Sequence, residues 1–300
     1  MSNWTTANMP DQKGKVIIVT GANSGVGLQA TIALCKKNAT VTMAVRDLTK
    51  GSKALAEVVG AVPGANVSLA VLDLADLDSV KAFAEQFVKN NTRLDVLMNN
   101  AGVMYPAKRE VTKQGFELQI GTNHLGHFAL TAQLMPLIKR TPHARIVSQA
   151  SLAHMTGDIR LNDINWQRGY NRIQAYAQSK LANLLFIYEL DRRLKARNID
   201  AKAIAAHPGV SRTNLMRTSG FMIELFTPLM AQSAEMGALP ILRAATDESL
   251  KGGEYIGPTG LMGMRGYPEI VKSNKKSYDV QLAKELWVLS EKMTGVRFEF

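Results

Sequence analysis

The chain has 300 residues, 46% of them hydrophobic, and 36 Lys and Arg against 25 Asp and Glu, for a formal charge of +11. That composition excludes a disordered or low-complexity chain and supplies apolar material for one large core. The longest apolar runs are broken by polar residues before the about eighteen needed to cross a bilayer. One cysteine, Cys35, excludes an internal disulfide, and the polar stretch 1–13 reads as a flexible lead-in with no signal peptide or anchor, so a reducing cytoplasm is expected.

The positive charge is dispersed. Its densest clusters, 192–197 and 272–276, lack interleaved aromatics, which argues against a nucleic-acid partner. It reads instead as a solvated basic surface that attracts anionic ligands such as nucleotide phosphates.

Residues 15–20 are a short β-branched run of the buried parallel-strand type. Gly21-Ala22-Asn23-Ser24-Gly25-Val26-Gly27 follows at once, and 28–37 reads as a helix. Strand, glycine turn and helix form the context in which glycines mark a phosphate site. Gly21 permits a tight turn, Gly25 lets backbone approach a pyrophosphate, and Gly27 lets the helix pack close to the strand, with the helix N-terminus offering free N–H groups. The spacing is G-x-x-x-G-x-G rather than G-x-G-x-x-G, and a plain turn also explains three glycines.

Residues 41–45 read as a second strand, ending at Arg46-Asp47. A carboxylate here favours NAD through the ribose hydroxyl, and an arginine accommodates the 2′-phosphate of NADP. The arginine comes first, so NADP(H) is favoured and NAD(H) is the second choice. Residues 50–59 are helical, and 67–72 form a third strand ending at Asp73-Leu74, where Asp73 either contacts an adenine or caps the loop. A helix over 77–88 leads to a strand over 94–98, which closes in Asn99-Asn100-Ala101-Gly102, small residues suited to close approach by a cofactor.

Residues 115–139 carry a long helical pattern interrupted by Asn123 and Gly126, both unfavourable in a helix interior, which reads either as a local irregularity that frees a backbone carbonyl or as a tolerated buried asparagine. His124 and His127 have near-ligand spacing, but no neighbouring Asp, Glu or Cys completes a metal set, and packing or surface roles are expected. A strand over 145–149 ends at Ala150-Ser151, a serine able to donate to a substrate oxygen or simply to form a turn.

Residues 174–194 are helical and carry Tyr176-x-x-x-Lys180. Of seven tyrosines, only Tyr176 has a lysine four residues on, one turn away on the same helical face. An ammonium about 4 Å from the phenol, at an effective dielectric of about 20, favours the phenolate by roughly 4 kcal/mol before desolvation subtracts. That brings the phenol toward physiological pH, where a general acid or base works best. A strand over 199–205 precedes His207-Pro208-Gly209 and then Thr213. The Met-, Phe- and Leu-rich stretch 211–235 reads as a cap over an apolar substrate or as a core helix. Helices over 233–245 and 279–293 flank a short strand beginning at Tyr255. Strands alternating with helices, joined by right-handed crossovers, give one α/β domain over 14–300: a doubly wound, mainly parallel sheet with helices on both faces.

Thr20-Gly21-Ala22-Asn23-Ser24-Gly25-Val26-Gly27, Asn99-Asn100-Ala101-Gly102, Asn123, Ser151, Tyr176-x-x-x-Lys180 and Pro208-Gly209, in that order and over nearly the whole chain from Gly14 on, resemble the short-chain dehydrogenase/reductase family. Ser151-Leu152-Ala153-His154, the long segment before Tyr176, and Gln178-Ser179-Lys180-Leu181-Ala182-Asn183 are most similar to its retinol dehydrogenase and protochlorophyllide reductase-like branch. The resemblance implies a Rossmann-type fold and an NAD(P)-dependent oxidoreductase that interconverts a small apolar carbonyl compound and its alcohol, as a monomer, homodimer or homotetramer. It implies Tyr176 as general acid/base, Lys180 lowering its pKa and holding the nicotinamide ribose, Ser151 orienting the carbonyl, and Asn123 holding a water in a proton relay. It further implies pyrophosphate at the glycine turn (Gly21, Asn23, Ser24, Gly25, Val26, Gly27) and the 2′-phosphate at Arg46. Asp73, Leu74, Asn99, Ala101 and Gly102 then flank the adenosine side, and Pro208, Gly209 and Thr213 the carboxamide end. The family's usual serine pair reads Ala150-Ser151 here, and the anchor common among animal retinol dehydrogenases is not seen, which argues against retinol itself; Cys35 as the only thiol argues against light-driven protochlorophyllide chemistry. A competing reading is a non-catalytic NADP(H)-sensing protein on the same fold, but a sensor has no need of Ser151, Tyr176 and Lys180.

Overall fold

In the computed structural model, which describes residues 3–210 and 232–300, short aliphatic runs bounded by turns form the strands. They are β1 (Val16–Thr20), β2 (Thr40–Val45), β3 (Val67–Val71), β4 (Val96–Asn99), β5 (Ala144–Gln149), β6 (Ala201–Ala206), β7 (Tyr255–Gly260) and β8 (Arg265–Ile270). Among the described residues they make one sheet in the order β3-β2-β1-β4-β5-β6-β7-β8, parallel except for the antiparallel β7–β8 pair. The helices are α1 (Gly25–Lys36), α2 (Leu48–Ala61), α3 (Leu77–Asn90), α4 (Leu118–Ile120), α5 (Gly126–Arg140), α6 (Arg172–Ala196), α7 (Ala234–Thr246) and α8 (Val280–Thr294).

Strand residues alternate between two cores, as a period of two requires. Ile18, Leu97, Ile146 and Ala203 face a layer built with Phe83 of α3, Phe128 of α5 and Leu184 of α6. Ile17, Met98, Val147 and Ile204 face the opposite layer, with Leu34 of α1, Val58 of α2 and Ile241 of α7. β4 and β5 are buried along their whole length, which is why Val96-Leu97-Met98 and Ile146-Val147 stand as consecutive apolar residues rather than alternating ones. Each Val, Leu, Ile or Met among them taken fully out of water stabilises the fold by about 1.5–3 kcal/mol.

Three expectations are corrected. Residues 4–12 are packed rather than a loose lead-in: Trp4 and Met9 are buried against the α1 layer, and the Gln12 amide donates to the Lys37 carbonyl at 2.7 Å. The last strand is a hairpin. β8 carries Gly266 and Pro268, residues that argue against a central strand, and it is tolerated because it lies at the sheet edge, where Pro258 and Pro268 face each other. The helical pattern from 115 begins only at Leu118, because residues 111–117 form a β-bridged turn.

The chain runs outward from β1 to β3, then returns to place β4 against β1 on the other side. That reversal opens a crevice beyond the C-terminal ends of β1 and β4, where open α/β sheets bind ligands. Thr20-Gly21 and Asn99 to Gly102 lie there.

Candidate active site

The glycine turn is shaped by close approach. Gly21 has φ +67°, and a Cβ added there would lie 2.9 Å from the Ala101 Cα; one added at Gly27 would lie 2.5 Å from both the Gly21 carbonyl oxygen and the Asn100 Nδ2. Ser24 is the N-cap of α1 but makes no side-chain hydrogen bond to it, so no serine oxygen competes for the first-turn amides. Val26 is buried, whereas Asn23, Ser24 and Gly25 keep partial exposure. Gly27→Ala is expected to push the turn off the β4 loop and to lower the melting temperature by several degrees, read by thermal unfolding.

Thr20 ties this turn to the β4 loop: its Oγ1 accepts from the amides of Asn100 and Ala101, each at 2.9 Å. Its proton faces two acceptors, the Met98 carbonyl at 3.2 Å and His127. The His127 Nδ1 lies 3.0 Å from the Asn123 carbonyl, which can only accept, so Nδ1 carries the hydrogen and Nε2 accepts from Thr20 at 2.9 Å. Burial pushes this imidazole down to about 4, which keeps it neutral. The expected irregularity exists as a π-helical stretch, Gly121–Leu125. Its Asn123 carbonyl is not free, however: one lone pair is spent on His127. The Asn123 side chain is committed as well, accepting from the Val103 amide at 2.8 Å and donating to the Val103 carbonyl and Ser179 Oγ. His127 is thus a buried connector, and His124 is buried with Nε2 against Ser290 Oγ; neither is a surface residue. Among the described residues no group of His, Cys, Asp and Glu is set to hold a metal.

β5 and α6 bring Ser151, Tyr176 and Lys180 together. Ser151 follows β5 and caps the short turn Leu152–Thr156, its Oγ accepting from the Ala153 amide at 3.2 Å. Tyr176, in the first turns of α6, keeps part of its surface open while its phenol is deeply set. Burial pushes that phenol above the ordinary tyrosine value; its hydrogen bond with the Ser151 hydroxyl works the other way, and the neighbouring Tyr105 adds to the rise. Lys180 is buried, its Nζ 5.6 Å from the Tyr176 ring centroid and donating to the Gln149 carbonyl at 3.0 Å, and burial pushes it down to about 8. The expectation of a phenol lowered by a 4 Å ammonium is therefore corrected. Lys180 is directed at the end of β5, and desolvation acts on both partners. A Cβ added to Gly102 would lie 3.1 Å from Asn123 Oδ1 and 3.5 Å from Lys180 Nζ, which places the β4 loop, π stretch and α6 around one point.

The outer positions divide. Arg46 is exposed at the end of β2, whereas Asp47 turns away to cap α2, accepting from the Lys50 amide at 3.1 Å. Asp73 caps its own loop through the Ala75 amide, and Leu74 is buried. Asn99 donates to Thr131 Oγ1 and leaves its Oδ1 buried without a partner. Pro208 and Gly209 are drawn to the β7–β8 side, with Val210 donating to the Met264 carbonyl and Gln232 Nε2 to the Pro208 carbonyl. Thr213 lies outside the described residues, as does the proposed cap except for 232–235. Sequence reasoning missed Tyr105, whose ring meets Tyr176 edge-on at 5.0 Å and whose backbone is held at φ +55° with its amide on Gln119 Oε1. It also missed the linking role of His127. A polar residue one turn after Asn123 was the only signal for the latter.

This arrangement is that of a dinucleotide-type α/β enzyme, and a family model described as short chain dehydrogenase matches residues 15–221. The chain belongs to the short chain dehydrogenase family of oxidoreductases. Within it the chain falls in the retinol dehydrogenase-like branch: it is 38% identical to human retinol dehydrogenase 13 over 294 residues, covering 94% of this chain and 85% of that one. It is likewise 38% identical to mouse retinol dehydrogenase 12, covering 95% and 88%. In structure it is similar to an uncharacterized protein from Mycobacterium paratuberculosis, with TM-score 0.85, 41% identity and full coverage of both chains. Among the described residues no helix is long and apolar enough to cross a membrane.

Proposed function

We propose that the protein is an NADP(H)-preferring oxidoreductase that reduces a small apolar aldehyde or ketone, or oxidises the corresponding alcohol, with Tyr176 as general acid/base. The observation that carries this reading is the convergence of Ser151, Tyr176, Lys180 and Gly102 at the C-terminal edge of the sheet beside the glycine turn. The turn fits a dinucleotide. The first amides of α1 have no side-chain cap, and Asn99 Oδ1 and Gln149 Oε1 are buried without partners at the ends of β4 and β5.

When bound, the nicotinamide group supplies the hydride. Lys180 would hold its ribose, and the glycine turn its pyrophosphate. A buried, neutral Tyr176 phenol is suited to give its proton to a carbonyl oxygen, and the Ser151 hydroxyl to steady that oxygen. The Tyr105 ring packs edge-on against Tyr176 and adds apolar surface beside the phenol, which suits an apolar substrate. Arg46, exposed and not engaged by Asp47, supports the preference for NADP(H).

Parallel titrations with NADPH and NADH on wild type and Arg46→Ala test the cofactor assignment. NADPH affinity is expected to fall about 10- to 100-fold in the variant while NADH affinity stays within about twofold. Equal affinities in wild type would refute the preference. Turnover of apolar aldehydes and ketones, followed by loss of NADPH absorbance, tests the activity; binding without reduction across the panel would favour the sensor instead.

A further inference from the structure

His154 lies three residues beyond Ser151 and is 1% exposed. Its ring is fully specified. Nδ1 lies 2.6 Å from the Ser151 carbonyl, and the Asn274 backbone amide lies 3.2 Å from Nε2. A carbonyl only accepts and a backbone amide only donates, so the ring must be neutral with its hydrogen on Nδ1. The His154 amide also donates to the Ser151 carbonyl, and Asn274 Nδ2 donates to the His154 carbonyl at 2.7 Å.

Asn274 is itself fixed. Its Oδ1 caps the turn Lys275–Tyr278 through the Ser277 amide. The adjoining Ser273 Oγ meets the Tyr188 hydroxyl at 2.9 Å, and Tyr188 lies on α6, three turns beyond Tyr176. One continuous set of hydrogen bonds therefore references the backbone of Ser151 and the helix of Tyr176 to the same C-terminal turn. A Tyr255 ring set edge-on to the imidazole at 5.5 Å completes the cage.

We propose that His154 is a positioning residue for the reaction: by gripping the Ser151 carbonyl through Nδ1 and the Asn274 amide through Nε2, it holds the Ser151 hydroxyl against the Tyr176 phenol. This assignment rests on the oxidoreductase reading above. It separates the two ring nitrogens by task. Nδ1 sets Ser151, and Nε2 sets the ring.

The test is a double-mutant cycle on kcat with a carbonyl substrate that the wild type reduces. His154→Ala, →Asn and →Gln are each made in wild-type and Ser151→Ala backgrounds, with NADPH affinity measured alongside. A misplacement of about an ångström costs up to about a hundredfold in rate. His154→Ala is therefore expected to lower kcat about ten- to a hundredfold with KM for NADPH within about twofold, and to cost less than about twofold once Ser151 is gone. Asparagine carries an N–H where Nδ1 stands and should restore most of the rate; glutamine reaches only the Nε2 position and should not. Equal penalties in both backgrounds, or wild-type kcat in His154→Ala, overturn the proposal. If the alanine variant does not fold, asparagine against glutamine in the same two backgrounds gives the same reading. A wild type that reduces no carbonyl, or Tyr176→Phe with full turnover, overturns the oxidoreductase mechanism and this assignment together. An active wild type with additive penalties overturns this assignment alone.

Discussion

Tyr176→Phe is expected to lower kcat for carbonyl reduction by about 10²- to 10⁴-fold, the range a positioned general acid contributes, while NADPH binding and the melting temperature change little. The phenylalanine ring keeps the edge-on contact with Tyr105, so what is lost is the hydroxyl and its hydrogen bond with Ser151. Burial holds the phenol above its ordinary value, so the acid form is present throughout neutral pH, and reduction should be flat there and fall only in alkali. In the proposed mechanism, oxidation of the alcohol needs the phenolate and should rise with pH over the same range. Ser151→Ala should show the smaller loss of the two, because it removes the proposed orienting donor and leaves the proposed proton source. Rapid-mixing kinetics in both directions check the pair. A variant lacking the phenol that reduces at the wild-type rate would remove Tyr176 from the chemistry altogether.

What the sequence displays and what it hides follow from the range of the forces involved. The alternating pattern made the parallel sheet legible, because a buried strand is written in consecutive residues; 15–20 and 145–149 are long enough to declare themselves. The glycine turn was legible for the same reason. β8 was not, since its acceptance of Gly266 and Pro268 depends on being at the sheet edge, a property of topology rather than of local sequence. Residues 4–12 looked loose because Trp4 and Met9 join a core layer that includes residues of α1 and α7, the latter more than 200 residues away. The pairing of Tyr176 with Lys180 could be read from helical spacing, but the direction of the phenol's shift could not. Spacing places the ammonium on the right face, while the Gln149 carbonyl and the depth of burial decide where it points and what it costs. His127 and His154 were illegible as connectors for a related reason. Each is defined by acceptors and donors that come from other elements: Thr20 for the one, Asn274 for the other.

Those buried imidazoles make the fold sensitive to acid. Burial pushes His124 down to about 3, His127 to about 4 and His207 to about 3, and pushes His154 down as well. The unfolded chain protonates each near pH 6.5. Between that value and the folded pKa the unfolded state binds more protons, so stability present above pH 6.5 is lost as pH falls. At pH 5 each of the first three rings costs about 2 kcal/mol, and together they approach the 5–15 kcal/mol that holds a typical domain folded. Glu117 and Asp191, buried carboxyls pushed upward, act with the opposite sign, but they are outnumbered by the rings. Melting temperature is therefore expected to drop steeply between pH 6.5 and 5 and to be nearly level between pH 7 and 8. His124→Gln isolates one ring: its Nδ1 has no partner to lose, and a glutamine amide reaches the Ser290 hydroxyl that Nε2 contacts. That variant should keep most of its stability at pH 7.5 and lose about one proton's worth of acid slope. An unchanged slope would mean that His124 is not held neutral in the folded protein.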